Sequence, residues 1–167
     1  MKQIDFWPEE IKIRDVGRID LSTIENINRS KSILQPRSLW SFSDFKKDDW
    51  YLYPTGGKNR YMLEEGSTFP YLYNNRTTNI QSPSYRTSGN TKGNYPCYTL
   101  TKGSTNPFNK TINFSIHILV ARAFIINDFP NIRHYVDHIN RDPRDYRIKN
   151  LRWASPSENQ RNRWKNK

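Results

Sequence analysis

Apolar and polar positions fall into a regular order in the last third of the chain. Ile116, Leu119, Val120, Ala123 and Phe124 recur at helical spacing and make one apolar stripe, which predicts a helix over residues 115–126. Ser115 can cap its start, and Asn127, Asp128 and Pro130 mark its end. A short strand is predicted over residues 135–139, a polar loop over 140–149 and a second strand over 151–154. Ser155 before Pro156 suits the first turn of a closing helix.

The preceding region has a different pattern. Residues 48–114 break into short aromatic and β-branched runs separated by turn residues, as antiparallel strands do. Trp50–Tyr53 and Arg60–Leu63 flank Pro54-Thr55-Gly56-Gly57, a predicted hairpin. Tyr71–Tyr73 and Arg76–Ile80 flank Asn74-Asn75, a second, and Tyr95–Thr101 can pair with Thr111–Phe114 in a third. Residues 81–94, rich in Ser, Thr, Asn and Gly, are expected to form a loop. Capping-box spacing at Ser22 and Glu25, with Ile24, Ile27 and Ile33 loosely periodic, predicts a short helix over 20–34. The fold class is therefore α+β, divided into a hairpin-rich N-terminal region, 1–106, and a C-terminal unit, 107–167.

Composition narrows the function classes. A mean hydropathy of −0.95 with 34% hydrophobic residues leaves a small core, which the many Tyr, Phe and Trp side chains help to fill. The formal net charge of +11 calls for a polyanionic partner. Residues 107–167 hold 12 Lys/Arg against 5 Asp/Glu, so the shorter unit is the more basic. Cys97 is the single cysteine; no intrachain disulfide can form, and an intracellular setting (cytoplasm of a host cell, nucleus or organelle) is expected. The start, MKQIDFWPEE, carries no secretory signal, and no apolar run suggests a membrane span.

The candidate chemistry lies in Val136-Asp137-His138-Ile139-Asn140, Lys149-Asn150-Leu151-Arg152-Trp153 and Ser157-Glu158-Asn159. Hydrolysis of a phosphodiester needs a base for the attacking water, stabilisation of the charge on phosphorus, and help for the departing oxygen. His138 titrates near neutrality and can be the base. Asp137 can hold a hard cation, and Asn159 can add a neutral oxygen. Asn150 can bond His138 and fix which ring nitrogen faces the water. Adjacent strand residues point to opposite faces, so Asp137 and His138 can share a site only where the strand ends.

These residues resemble the HNH family, the His-Me finger or ββα-metal nucleases, and within it the phage and intron-encoded homing endonucleases. Such sequences read like "VH-LVA-AF … VDHI … NLRW … EN". This chain has Ile116-His117-Ile118-Leu119-Val120-Ala121-Arg122-Ala123-Phe124, Val136-Asp137-His138-Ile139, Asn150-Leu151-Arg152-Trp153 and Glu158-Asn159, with Asn150 and Asn159 at 13 and 22 residues after Asp137. The resemblance covers roughly residues 95–163. It implies a ββα-metal module, Asp137 and Asn159 as metal ligands, His138 as general base and Asn150 as its orienting partner. It also implies one divalent cation, magnesium with manganese as the alternative, and double-stranded DNA as substrate. The run Arg141-Asp142-Pro143-Arg144-Asp145-Tyr146-Arg147 departs from the usual Gly- and Asn-rich "DGNK-NN" loop. The chain ends at Lys167, where many relatives continue into a helical DNA-binding module, so targeting is expected from the N-terminal strands.

A run of charge is ordinarily a solvated face. Beside a phosphate-cutting centre, Arg141, Arg144, Arg147, Lys149, Arg152, Arg161 and Arg163 are read instead as DNA-backbone contacts. His117 is read as a structural histidine, Trp153 and Phe124 as core aromatics, and the N-terminal tyrosines as core builders. Two competing readings remain: a non-catalytic DNA-binding module on the same scaffold, and a restriction or defence nuclease of the same fold.

Overall fold

The computed structural model describes residues 11–14, 18–20, 50–54, 69–75, 77–86, 95–101 and 111–164. Three antiparallel sheets and two helices make an α+β fold. The first sheet runs in the order β1 (Ile19–Asp20), β2 (Trp50–Tyr53), β3 (Tyr71–Asn74), β4 (Asn79–Gln81). The second contains β5 (Ser84–Arg86), β6 (Tyr95–Thr101) and β7 (Thr111–Ser115), with α1 (Ile116–Phe124) continuing directly from β7. A two-stranded ribbon, β8 (Tyr135–His138) and β9 (Leu151–Ala154), is followed by α2 (Pro156–Trp164).

Alternation along β2 and β3 explains how the first sheet docks. Leu52 and Leu72 are direct cross-strand partners, and both are fully buried. The neighbouring pair Tyr53 and Tyr71 stacks with ring centroids 4.9 Å apart. The hairpin expected around Asn74-Asn75 forms, with Leu72 opposite Gln81 and Asn74 opposite Asn79, and Thr78 turns the chain at φ 57°. The expected partner of Trp50–Tyr53 is replaced: β1 and β3 occupy both edges of β2, and residues 60–63 lie outside the described residues. Asp20, at the start of the predicted 20–34 helix, is in β1, while 21–34 lie outside the described residues. Part of the predicted 81–94 loop is strand: Ser84–Arg86 pairs with Tyr95–Cys97. The third hairpin pairs as expected, Thr101 opposite Thr111 through Cys97 opposite Ser115, and so runs across position 106.

Helix α1 is enclosed rather than amphipathic: Arg122 alone among its nine residues escapes full burial. Ser115 makes no side-chain cap, because it is also the last paired residue of β7. The helix stops at Phe124, before Asn127. Residues 12–14 form a bridge there, with Arg14 N–H donating to Phe124 O at 2.7 Å and Ile126 N–H to Lys12 O at 2.9 Å. These bonds satisfy carbonyl and amide groups that another helical turn would have used. One core joins Leu52, Leu72, Tyr98 and Phe114 to Leu119, Val120, Phe124, Ile148 and Leu151. Trp153 packs on it and donates its indole N–H to Ile125 O at 3.1 Å, tying β9 to the end of α1. Among the described residues, no helix is long and apolar enough to cross a membrane.

Helix α2 is held differently, because its buried residues are Glu158 and Asn162. Glu158 accepts from Ser155 N–H at 2.7 Å while its own N–H donates to Ser155 Oγ at 3.3 Å, a capping box around Pro156. Arg133 donates to the same carboxylate through Nε and Nη2, at 3.2 and 2.9 Å. Burial alone would raise the Glu158 carboxyl, but the Ser155 N–H and the Arg133 guanidinium outweigh it and hold the pKa below its ordinary value. Stability from this carboxylate is therefore complete above the ordinary Glu range and is lost as pH falls through the lowered value. We expect Glu158→Ala to lower unfolding stability by about 3 kcal/mol in urea titrations at pH 7, because it strands a buried guanidinium. A change within error would mean that α2 docks by other contacts.

Candidate active site

The ribbon β8–β9 lies between the two helices, and consecutive residues of β8 serve opposite neighbours. Asp137 turns its carboxylate toward α2, where Asn162 Nδ2 donates to both of its oxygens at 3.0 Å. The same Nδ2 lies 2.9 Å from His138 O, so one carboxamide of α2 holds both residues. His138 turns its imidazole toward α1, with the His117 ring centroid 4.9 Å away and the Tyr95 ring 6.0 Å away. Tyr95 and His117 are themselves 5.3 Å apart, which makes a trio of rings over the end of β8. Strand β8 ends at His138, and the two side chains leave it on opposite sides of the ribbon.

Burial dominates the electrostatics here. The His138 pKa lies below its ordinary value, chiefly because desolvation disfavours the cation; Asp137, Asp145 and Asp142 oppose that shift. His117 is pushed down to about 3 by burial and then by His138. Both rings are thus neutral at pH 7. His138 Nε2 and His117 Nδ1 are buried without a hydrogen-bond partner among the described residues.

The loop after β8 is bound by its own side chains. Asn150 Oδ1 accepts from Asn140 N–H at 3.0 Å, and Asn150 Nδ2 donates to Asn140 Oδ1 at 2.9 Å and to Asp145 O at 2.7 Å. Its carbonyl accepts from Ile139 N–H at 2.8 Å. Asn150 therefore acts on the backbone that follows His138; among the described bonds it does not reach the imidazole. Asp145 receives Arg147 Nε and Nη2 at 2.7 and 2.6 Å, and this hydrogen bonding holds its carboxyl below the usual range. Arg141 takes φ 68°, a left-handed conformation that glycine adopts freely and arginine at a cost of about 1 kcal/mol.

The structure separates the basic residues expected at DNA. Arg141, Arg144, Lys149, Arg161 and Arg163 are exposed. Arg147 is committed to Asp145, and Arg152 donates Nε and Nη2 to Asp137 Oδ2 at 2.9 and 2.8 Å. Asn159, the expected second ligand, is half-buried one turn before Asn162, and among the described bonds it makes none to Asp137. Asn162 was not singled out from sequence, though its i+3 spacing from Asn159 puts it on the same helix face. Tyr95, expected in a strand, and His117, expected as a structural histidine, complete the ring trio beside His138. Among the described residues no three of His, Cys, Asp and Glu converge as a metal site, so a cation at Asp137 needs neutral oxygens as well.

The HNH endonuclease family model matches residues 116–161, which span α1, the ribbon and most of α2. The chain carries an HNH endonuclease module. Two uncharacterized HNH endonucleases of Acanthamoeba polyphaga mimivirus are similar to it, at 30% identity over 72% of the chain and 34% over 68%. The chain spans 32% and 25% of the lengths of these relatives. No solved structure is significantly similar to it.

A neutral, buried His117 makes a pH prediction. The unfolded chain takes up a proton near pH 6.5, well before the folded state does at about 3, so stability falls as pH drops below about 6.5. The slope reaches about 1.4 kcal/mol per pH unit for such a group. His117→Phe keeps a ring against His138, so its urea midpoint should decline less between pH 7 and pH 5 than the wild type's. Parallel declines would contradict the assignment.

Proposed function

We propose that the HNH module is a divalent-cation-dependent DNA endonuclease of homing type, with His138 as general base and Asp137 as metal ligand. The observation that carries this reading is the Asp137-His138 pair at the end of β8. One Asn162 carboxamide clamps it, and the imidazole is neutral with an unpartnered Nε2. A general base must be unprotonated at working pH, and the lowered His138 pKa meets that need.

The donor chemistry suits magnesium or manganese. Asp137 Oδ2 takes both Arg152 bonds and one from Asn162 Nδ2, while Oδ1 takes the other from Asn162; with about two acceptor sites per carboxylate oxygen, Oδ1 keeps one for a cation. Asp137 Oδ1 and the carboxamide oxygen of Asn159 would supply hard ligands. When bound, the cation offers charge stabilisation at the phosphate and the leaving oxygen. His138 takes a proton from the attacking water, and Asn150 positions it through Ile139 and Asn140. Residues 1–106 and the exposed cations of the module grip double-stranded DNA, with Arg144 beside the exposed Tyr85 at 5.9 Å.

Supercoiled plasmid with magnesium tests the reading: wild type should nick or cut it, EDTA should stop the reaction, and His138→Ala should lose at least ~100-fold in rate while still binding DNA. Cleavage by His138→Ala at the wild-type rate would refute the mechanism. A non-catalytic DNA-binding module is the second reading, favoured by the hold that Arg152 and Asn162 already have on Asp137; binding without any magnesium-dependent cutting would support it.

The two classes of arginine predict different binding phenotypes. Arg144→Ala should weaken DNA binding and reduce the salt slope by about 1, whatever the DNA sequence. Arg147→Ala should instead lower thermal stability by loosening Asp145, with a smaller change in salt slope. Equal salt slopes for both variants would remove the distinction.

A further inference from the structure

We propose that Arg152 is a place-holding cation for the Asp137 carboxylate, so that divalent metal and guanidinium compete for one buried charge. The proposal rests on the reading of Asp137 as metal ligand and goes beyond it by naming the residue that sets the strength of metal binding. Asp137 and Arg152 are direct cross-strand partners on β8 and β9, so the backbone register itself brings the two groups together. The pair is well shielded: the carboxylate side chain is 6% exposed and the guanidinium 18%. A carboxylate this buried needs a countercharge, and Arg152 supplies it by placing two N–H groups on a single oxygen.

That geometry leaves Oδ1 with lone-pair capacity for a cation. It also leaves a full positive charge on the other oxygen of the same group. A metal at Oδ1 meets the guanidinium's repulsion, so binding the metal and keeping the ion pair oppose each other. Once displaced, the Arg152 fork can take another anion, and a DNA phosphate matches its planar geometry. A phosphate that draws Arg152 away in turn frees Asp137 for metal. The two ligands thereby help each other bind, and linkage makes the effect equal in both directions.

The test measures manganese binding to DNA-free protein, by electron paramagnetic resonance of the free ion, for wild type, Arg152→Gln, Arg152→Met and Asp137→Asn. Arg152→Gln should bind manganese about tenfold more tightly than wild type, a coupling of ordinary size. Asp137→Asn should lose the site. A cleavage-resistant phosphorothioate duplex should tighten manganese binding to wild type and have less effect on Arg152→Gln. If Asp137→Asn loses the site while Arg152→Gln binds no more tightly than wild type, the place-holding role is overturned and the ligand assignment survives. If Asp137→Asn binds as wild type does, both fall. Should circular dichroism show Arg152→Gln to be unfolded, Arg152→Met decides, since it keeps the side-chain stem and removes the charge. Tightening supports the proposal, and unchanged affinity overturns it.

Discussion

A buried carboxylate with nothing but polar partners organises the C-terminal half. Asp137 sits in the middle of a ribbon between two helices, and its charge must be met wherever it is taken out of water. Arg152 meets it from the neighbouring strand and Asn162 from α2. The consequence reaches beyond the pair. Helix α2 has no apolar stripe; the two residues it buries are Glu158 and Asn162, so polar clamps do the docking. Such clamps are directional, which apolar packing is not. The helix is therefore fixed in rotation as well as position, and the Asn159–Asn162 face is aimed at the end of β8.

Helix α1 solves the opposite problem. It is apolar on nearly every side and has no free face, so the second sheet, the ribbon and the chain around Ile13 all pack on it. That enclosure carries His117 under His138 and excludes water from both. Dryness keeps the imidazoles neutral, which suits a base. The ribbon thus has a polar, charged side facing α2 and a dry, aromatic side facing α1. A strand's alternation, which first looks like an obstacle to joint action by adjacent residues, sorts two different environments onto two adjacent side chains.

Periodicity made α1, β8, β9 and α2 legible, because each has one packing demand that its own residues announce. The spacing of Asp137, His138 and Asn150 likewise pointed, through the HNH resemblance, to the candidate site. What stayed hidden depended on pairing. Arg152 reads as one more cation in a basic segment until register sets it opposite Asp137. Asn162 looks like a surface residue of a polar helix until α2 is known to dock by hydrogen bonds. The end of α1 was misjudged because residues 12–14, more than a hundred positions away, supply the bonds that stop it. The partner of β2 was misjudged because a nearby Pro-Thr-Gly-Gly turn signal outweighed a more distant tyrosine-rich strand. Long-range pairing carries no local signature, and these four residues or segments share that cause.

One tension in the site has a physical resolution. On the reading proposed above, His138 must meet water and phosphate, yet the ring is buried. His138 Nε2 is covered, and α1 lies behind the ring. Of the three mutually tilted rings, Tyr95 is the exposed one, on β6. The Asn150-bound loop that follows His138 carries exposed Arg141 and Arg144. For the endonuclease proposed above, the exposed member of the ring trio, Tyr95, is the one a substrate would meet first. The groups that hold Asp137, on β9 and α2, are separate from that exposed ring on β6, so the clamp and the open side of the trio lie on different elements.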